Sequence, residues 1–432
     1  MKRTPPLLQW IVAALSLSSL TATEGQPSSS PAPNVTVQQD LLAPDAQAKI
    51  DKSVSDILAK TGAPSASIAV VKEGKLAYIR AYGMADVKTR KPATTAMRYS
   101  IGSISKQFTA TAILLLAEEG KLSLDDKVSR WLPEITRAGD VTVRQLLSMT
   151  SGYQDYWPQD YVMPGMLEPT SAQDIVAGWA RKPLDFEPGT KWQYSNTNYV
   201  IAGLIVEQAA GIPLIDFLEK RIFGPLEINS VFNTDLAPLP DGDPARYQRF
   251  GLGRVRPAPK EGQGWLFAAG ELAMTATDLA NWDISVIDQT VLKPLSYREM
   301  QKDVQLTSGA ASRYGLGVGI DIVNGRRLIS HGGEVSGFCA QNAVYPDEHA
   351  AIVVLTNLFA TNAPQEMAAK IAEVLFTPAG SEGPLTEAKN IFAGLQHGKI
   401  DRSRFTSNAN AYFSDQALKD LGRKSLSARQ TD

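Results

Sequence analysis

Ser103-Ile-Ser-Lys106 heads an apolar run, Phe108-Thr-Ala-Thr-Ala-Ile-Leu-Leu-Leu-Ala117, and Glu118-Glu-Gly120 closes it. The run is apolar nearly all round. That pattern predicts a central buried helix rather than a surface one. Gly120 is a natural stop one residue past the helix end. Ser103 falls on the first turn, where unpaired backbone N–H groups and the helix dipole favour negative charge. Lys106 is three residues on, so its amine shares a face with the Ser103 hydroxyl. A serine becomes a nucleophile when a proton acceptor lies beside it, and a desolvated lysine can serve as one. The four-residue pattern by itself is a common accident.

Outward from this helix, strands bracket a helical middle. Apolar residues at helical spacing (Ile50, Val54, Ile57, Leu58) predict a helix over 45–60 that ends at Gly62. Ser65–Val71 and Leu76–Tyr82 form a hairpin about Glu73-Gly74. Further on, Val141–Gly152, Asn198–Ala210 and a segment opened by Thr277 read as helices. The Gly- and Pro-rich stretch 251–270 reads as a long loop. Strands resume at Gly315–Val323, which turns at Asn324-Gly325, and Arg327–Ser330 runs into His331. Phe338–Tyr345 and Ala351–Leu355 follow, and then a helix over 364–376.

The two N-terminal strands and those near the C-terminus pair most simply in one antiparallel sheet. The fold class is therefore α+β: an antiparallel sheet flanked by helices, with an all-helical region inserted over about 100–310. The seam between the two is the place for a pocket.

Composition narrows the function classes. The 432 residues are 44% hydrophobic and 20% charged, as in an ordinary globular enzyme. A net charge of −2 without a strong basic run gives a nucleic-acid partner no electrostatic footprint. The single cysteine, Cys339, excludes an intrachain disulfide, and none of His331, His349 and His397 lies in H-E-x-x-H, so no metal or other cofactor is expected. Lys2-Arg3 before the short apolar run Leu7–Leu20 reads as a signal peptide over 1–22, which predicts a periplasmic or secreted protein with no stable membrane span after cleavage. Residues 23–40 read as a Pro/Ser-rich linker, 41–380 as the main domain and 381–432 as an appendage or a truncated module, with helices over 385–395 and 411–421.

Two more motifs stand out. Tyr194-Ser-Asn196 is the only Y-x-N in the chain. A phenol becomes a useful base when a cation such as Lys106 lowers its pKa, and Asn196 can both donate to and accept from a substrate amide. His331-Gly332-Gly333 follows a strand, where glycines let a ligand approach the backbone. The Glu334 N–H, one residue later, can join the Ser103 N–H as an oxyanion hole. A literal K-T-G at 60–62 sits at a helix end and reads as a cap.

In the order S-x-x-K, Y-x-N, H-G-G, the chain resembles the serine β-lactamase and penicillin-binding-protein superfamily in its class C-like branch. Leu146–Gly152 and Ala269–Asp278 extend the resemblance, which covers about 45–377. It implies the β-lactamase/transpeptidase-like fold and a role for each motif. Ser103 is the acylated nucleophile. Lys106 and Tyr194 share the work of a base, Asn196 orients substrate, and His331-Gly332-Gly333 takes the place of K-T-G. No E-x-x-x-N is present, so the class A deacylating glutamate is absent. Histidine where the family has lysine weakens a carboxylate anchor. That departure is similar to the family's esterases, D-amino-acid peptidases and alkaline D-peptidases rather than its dedicated β-lactamases. The expected partner is a small ester, D-peptide or β-lactam. The competing reading is a non-catalytic ligand-binding member of the fold. A G-x-S-x-G hydrolase is excluded, because no serine has glycines at both flanking positions.

Overall fold

A computed structural model describes residues 42–158, 161–251, 253–377 and 384–427. The segments expected as a signal peptide and a linker lie outside the described residues. The main sheet has seven strands, all antiparallel: β1 (Ser65–Lys72), β2 (Lys75–Asp86), β3 (Lys91–Pro92), β4 (Gly319–Val323), β5 (Arg326–Val335), β6 (Phe338–Tyr345) and β7 (Ala350–Thr356). Their order is β3-β2-β1-β7-β6-β5-β4, so β1 meets β7 at the centre and joins the two ends of the domain. The α+β architecture is as expected, with the short β3 added.

Both faces of the central strands are covered, and the alternation along each strand decides which residue goes where. Ala66, Ile68 and Val70 of β1 pack with Ile352 and Val354 of β7 beneath α1 (Pro44–Thr61). A second helix, Ala363–Phe376, covers the same face. Ala69, Val71, Val353 and Leu355 point the other way, into the larger core shared with the helical region.

That core is centred on α2 (Ser105–Glu118), in which every side chain from Ser105 to Leu116 is buried. Phe108 packs on Trp282 and Phe223, with ring centroids 4.7 and 5.3 Å away. The helix ends as expected. Gly120 has φ +70°, its N–H bonds Ala117 O, and Lys121 N–H bonds Leu116 O. That pair of bonds is a Schellman closure.

Several boundaries differ from the sequence reading, each for a local reason. The strand expected from Gly315 starts at Gly319. A side chain at Gly315 would meet Met300 O at 2.2 Å, and Gly317 (φ +78°) lies against Lys106 O, so this stretch packs along α2 instead of pairing. His331-Gly332-Gly333 lies inside β5 rather than after a strand, paired with Asn342, Gln341 and Ala340 of β6. The helix over Ala276–Asp288 is capped by Thr275, whose hydroxyl accepts from Asp278 N at 3.1 Å, not by Thr277. The expected helix over 411–421 is two, Ser407–Tyr412 and Asp415–Ser427, because Ser414 Oγ accepts from Ala417 N and starts a new N-terminus. K-T-G at 60–62 is a helix cap, with Gly62 at φ +74°.

Candidate active site

Ser103 sits in a single 3₁₀ turn, Gly102–Ile104, that leads directly into α2. Two glycines seat this turn against β5. Gly102 has φ +51°, and a Cβ there would lie 2.6 Å from Glu334 N. A Cβ on Gly333 would lie 1.8 Å from Ile101 O. The close approach that Gly333 permits is thus by the turn that carries Ser103, not by a ligand. The same contact brings Glu334 N beside the start of the turn. Gly332 is less constrained, since its added Cβ would make an ordinary 3.5 Å contact with Gln365 Nε2. Gly333→Ala is therefore expected to displace Ser103 and cut kcat by about 10²-fold, as a roughly 1 Å misplacement does. Gly332→Ala should cost far less. Steady-state kinetics on a small ester, with thermal midpoints for both variants, would check the contrast.

Lys106 is completely buried, and its amine makes three bonds: to Ser103 Oγ at 2.9 Å, Asn196 Oδ1 at 2.8 Å and Ala269 O at 2.7 Å. A carbonyl oxygen can only accept, so two amine hydrogens are committed to Asn196 and Ala269. The third position faces Ser103. It carries a hydrogen when the amine is charged and a lone pair when it is neutral. Burial pushes Lys106 down to about 7, against the opposing charge of Asp155. Near neutral pH that lone pair is present in a substantial fraction of molecules.

Asn196 links this amine to Asp155, a residue outside all three motifs. Its Nδ2 lies 3.3 Å from both Asp155 oxygens, and its backbone N–H donates to Asp155 Oδ1 at 2.9 Å. The network fixes the amide's orientation: flipped, it would set NH₂ against the amine and oxygen against the carboxylate. Asp155 also accepts from Trp157 N at 3.1 Å. Burial raises its pKa, with the Trp157 and Asn196 N–H groups and Lys106 pulling it back. As an anchor for the first turn, Asp155 explains why the helix Asn196–Ala210 starts two residues earlier than expected.

Tyr194 joins the same centre. Its phenol reaches Ser103, and its ring lies under Lys106 Nζ, 5.1 Å from the centroid. The expectation that Lys106 lowers this phenol is corrected. Burial holds Tyr194 above its ordinary value, with the Ser103 contact pulling it down and Asp155 pushing it up.

His331 faces Tyr194 at a ring separation of 6.1 Å. Its Nδ1 is 2.6 Å from Gly332 O, a pure acceptor, so Nδ1 carries the hydrogen. Nε2 then accepts from the Tyr314 hydroxyl at 2.9 Å. The neutral ring satisfies both partners. Burial, then the neighbouring Lys106 charge, push His331 down to about 4, with the Gly332 carbonyl opposing.

The floor is held from the far side by the phrase 269–278. Ser105 Oγ accepts from Leu272 N, and Thr109 Oγ1 donates to Ala268 O. Glu271, buried and pushed up to about 7 by burial and then by Asp235, receives Asn233 Nδ2 at 2.7 Å. All eight residues expected at the site thus converge, seven of them on the walls of a cavity of about 730 Å³ and Lys106 beneath it.

Known proteins resemble this chain over most of its length. The model of the family described as Beta-lactamase matches residues 50–376. Penicillin-binding protein 4* of Bacillus subtilis (strain 168) is 29% identical over 311 residues, 67% of each chain. A D-aminopeptidase of Brucella anthropi is 29% identical over 339 residues, 77% of this chain, which spans 63% of that protein's length. The structure of D-amino acid amidase from Ochrobactrum anthropi SV3, complexed with D-phenylalanine, superimposes with a TM-score of 0.69 at 25% identity and covers 77% of this chain and 99% of that one. With the family match running through the sheet, the helical region and every motif of the site, the chain belongs to the Beta-lactamase family.

Proposed function

We propose that this protein is a serine hydrolase that works through an acyl-enzyme on Ser103 and cleaves small esters or D-configured amides. The observation that carries this reading is the buried Lys106 amine, 2.9 Å from Ser103 Oγ and held near a neutral pKa. Lys106 takes the Ser103 proton as Oγ attacks the substrate carbonyl. The Ser103 and Glu334 N–H groups receive the oxyanion. Tyr194 passes a proton to the departing amine or alcohol, and the ester on Ser103 remains. Water then attacks that ester, giving up a proton through Tyr194 and Lys106, and the acid leaves with Ser103 restored. Asn196 orients the substrate with the N–H that Asp155 leaves available.

The D-amide part rests on the relatives, a D-aminopeptidase and a D-amino acid amidase. Efficient β-lactam turnover ranks lower, because His331 stands where a lysine would hold the carboxylate. A fluorophosphonate probe followed by intact mass tests the core of the reading. The expected result is one adduct, mapped to the peptide containing Ser103, together with turnover of p-nitrophenyl acetate. Folded protein that gives neither would be a ligand-binding member of the fold.

A further inference from the structure

The turn 264–270, which supplies the Ala269 carbonyl to Lys106, is strained and is held from both sides. Ala268 has φ +57°, a left-handed conformation open to glycine but costly to a residue with a Cβ. Its methyl sits against Gly203 of the helix Asn196–Ala210, where an added Cβ would lie 2.4 Å from it. On one side, buried carboxylates take the N–H groups of the turn. Asp235 Oδ1 accepts from Gly264 N at 2.9 Å and Leu266 N at 3.0 Å, and Glu271 Oε1 accepts from Ala268 N at 3.2 Å. On the other side, α2 takes its carbonyls. Thr109 Oγ1 donates to Ala268 O and Lys106 Nζ to Ala269 O, each at 2.7 Å.

Glu271 is a fixed post in this arrangement. It is buried, its backbone carbonyl accepts from Thr234 N at 2.7 Å, and its Oε2 accepts from Asn233 Nδ2 at 2.7 Å. Asn233 must be the donor there, because its Oδ1 already accepts from Asp235 N at 2.9 Å. Glu271 therefore needs two accepting oxygens, and an amide in its place supplies one. Its side chain lies outside the cavity wall and behind the turn, so it reaches the reacting atoms only through the Ala268–Ala269 peptide.

We propose that Glu271 is a positioning residue: it holds the strained Ala268 peptide so that the Ala269 carbonyl stays aimed at Lys106 and the amine's remaining position stays aimed at Ser103. The proposal rests on the serine-hydrolase reading above and deepens it. It also fixes a sign. A carbonyl that accepts from the amine favours the charged form, so a carbonyl that swings away lowers the pKa of Lys106. The titratable neighbours of Lys106 are Asp155, Tyr194, Tyr199 and His331, and those of Glu271 are Asp235 and Glu207. Glu271 itself is pushed up to about 7 by burial and then by Asp235, so a variant that changes no charge has to decide the matter. Thr109→Val is that variant. It releases Ala268 O from α2 and leaves all six of these neighbours in place.

The test follows kcat and kcat/KM for p-nitrophenyl acetate against pH in the wild type, Thr109→Val, Glu271→Gln and the double variant Glu271→Gln/Ala268→Gly, with thermal midpoints for each. In both single variants kcat should fall by about 10- to 10²-fold, as for a misplaced reacting group. The rising limb of kcat/KM should move down by about one pH unit, the size of a hydrogen bond to a charged group. A merely structural loss would lower the active fraction and leave the limb where it was. In the double variant glycine takes the left-handed conformation without strain, so most of the lost kcat should return and the limb should move back toward its wild-type position. A limb that stays in place or moves up in Thr109→Val would overturn the proposal, and so would a double variant no more active than Glu271→Gln. Where Glu271→Gln does not fold, Thr109→Val alone decides. A wild type that neither turns over the ester nor labels with fluorophosphonate would instead remove the hydrolase reading and the proposal with it.

Discussion

Replacing Ser103 by alanine is expected to lower kcat/KM for p-nitrophenyl acetate by on the order of 10⁴- to 10⁶-fold, as removal of a catalytic serine that acts as a unit with its base does. The size follows from what is lost. Among the described residues no other hydroxyl makes a bond to the Lys106 amine, whose remaining partners are the Asn196 and Ala269 oxygens. A water that takes the place of Oγ is neither tethered nor oriented, and a tethered reactant is worth about 7–11 kcal/mol. The fold should survive. Ser103 is only half-buried, and the turn is seated by Gly102 and Gly333, not by the hydroxyl. A thermal midpoint within a few degrees of wild type, measured on the preparation used for kinetics, would separate lost chemistry from lost structure. Retention of more than about 1% of the activity would mean that Ser103 is not the nucleophile, because the residual catalysis of triad-deleted enzymes is far smaller.

The parts of the fold and site that were legible in the sequence are those written in local pattern. Ser103 and Lys106 share one turn. Tyr194 and Asn196 flank one residue. His331, Gly332 and Gly333 are contiguous, and Gly120 closes α2 with the bonds its position predicts. Asp155 was not legible, because its meaning is non-local. It lies 41 positions from Asn196, and only folding brings its carboxylate to the start of a distant helix. Tyr314 was hidden for the same reason, since its hydroxyl gains a role only when it meets His331. The misread strand start at Gly315 shows the reverse failure. Leu316 and Val318 alternate like strand residues, but the backbone between them bends at Gly317 to follow α2. Alternation records burial on two sides, and a segment pressed between a helix and its neighbours produces it without a pairing partner.

Lys106 should set the pH dependence of the reaction. The amine accepts the Ser103 proton only when neutral, and burial brings its pKa down to about 7. The kcat/KM of the free enzyme is therefore expected to rise with pH through about 7 and then level off, with the charged, inactive form dominant below. His331 cannot supply that limb, because it titrates near 4, and Tyr194 cannot, because burial holds its phenol above the ordinary range. His331→Gln should leave the midpoint of the limb in place even where the rate falls. Lys106→Met should remove the limb and cost about 10²- to 10⁴-fold, the range for loss of a positioned general base. Asp155→Asn supplies the sign. The Asp155 carboxylate favours the charged amine, so removing its charge makes the amine easier to deprotonate and moves the limb to lower pH. A limb that stays fixed in Asp155→Asn and moves with His331→Gln would assign the base to histidine. The bond from His331 Nε2 to Tyr314 argues against that assignment, because the lone pair needed to take the Ser103 proton is already engaged.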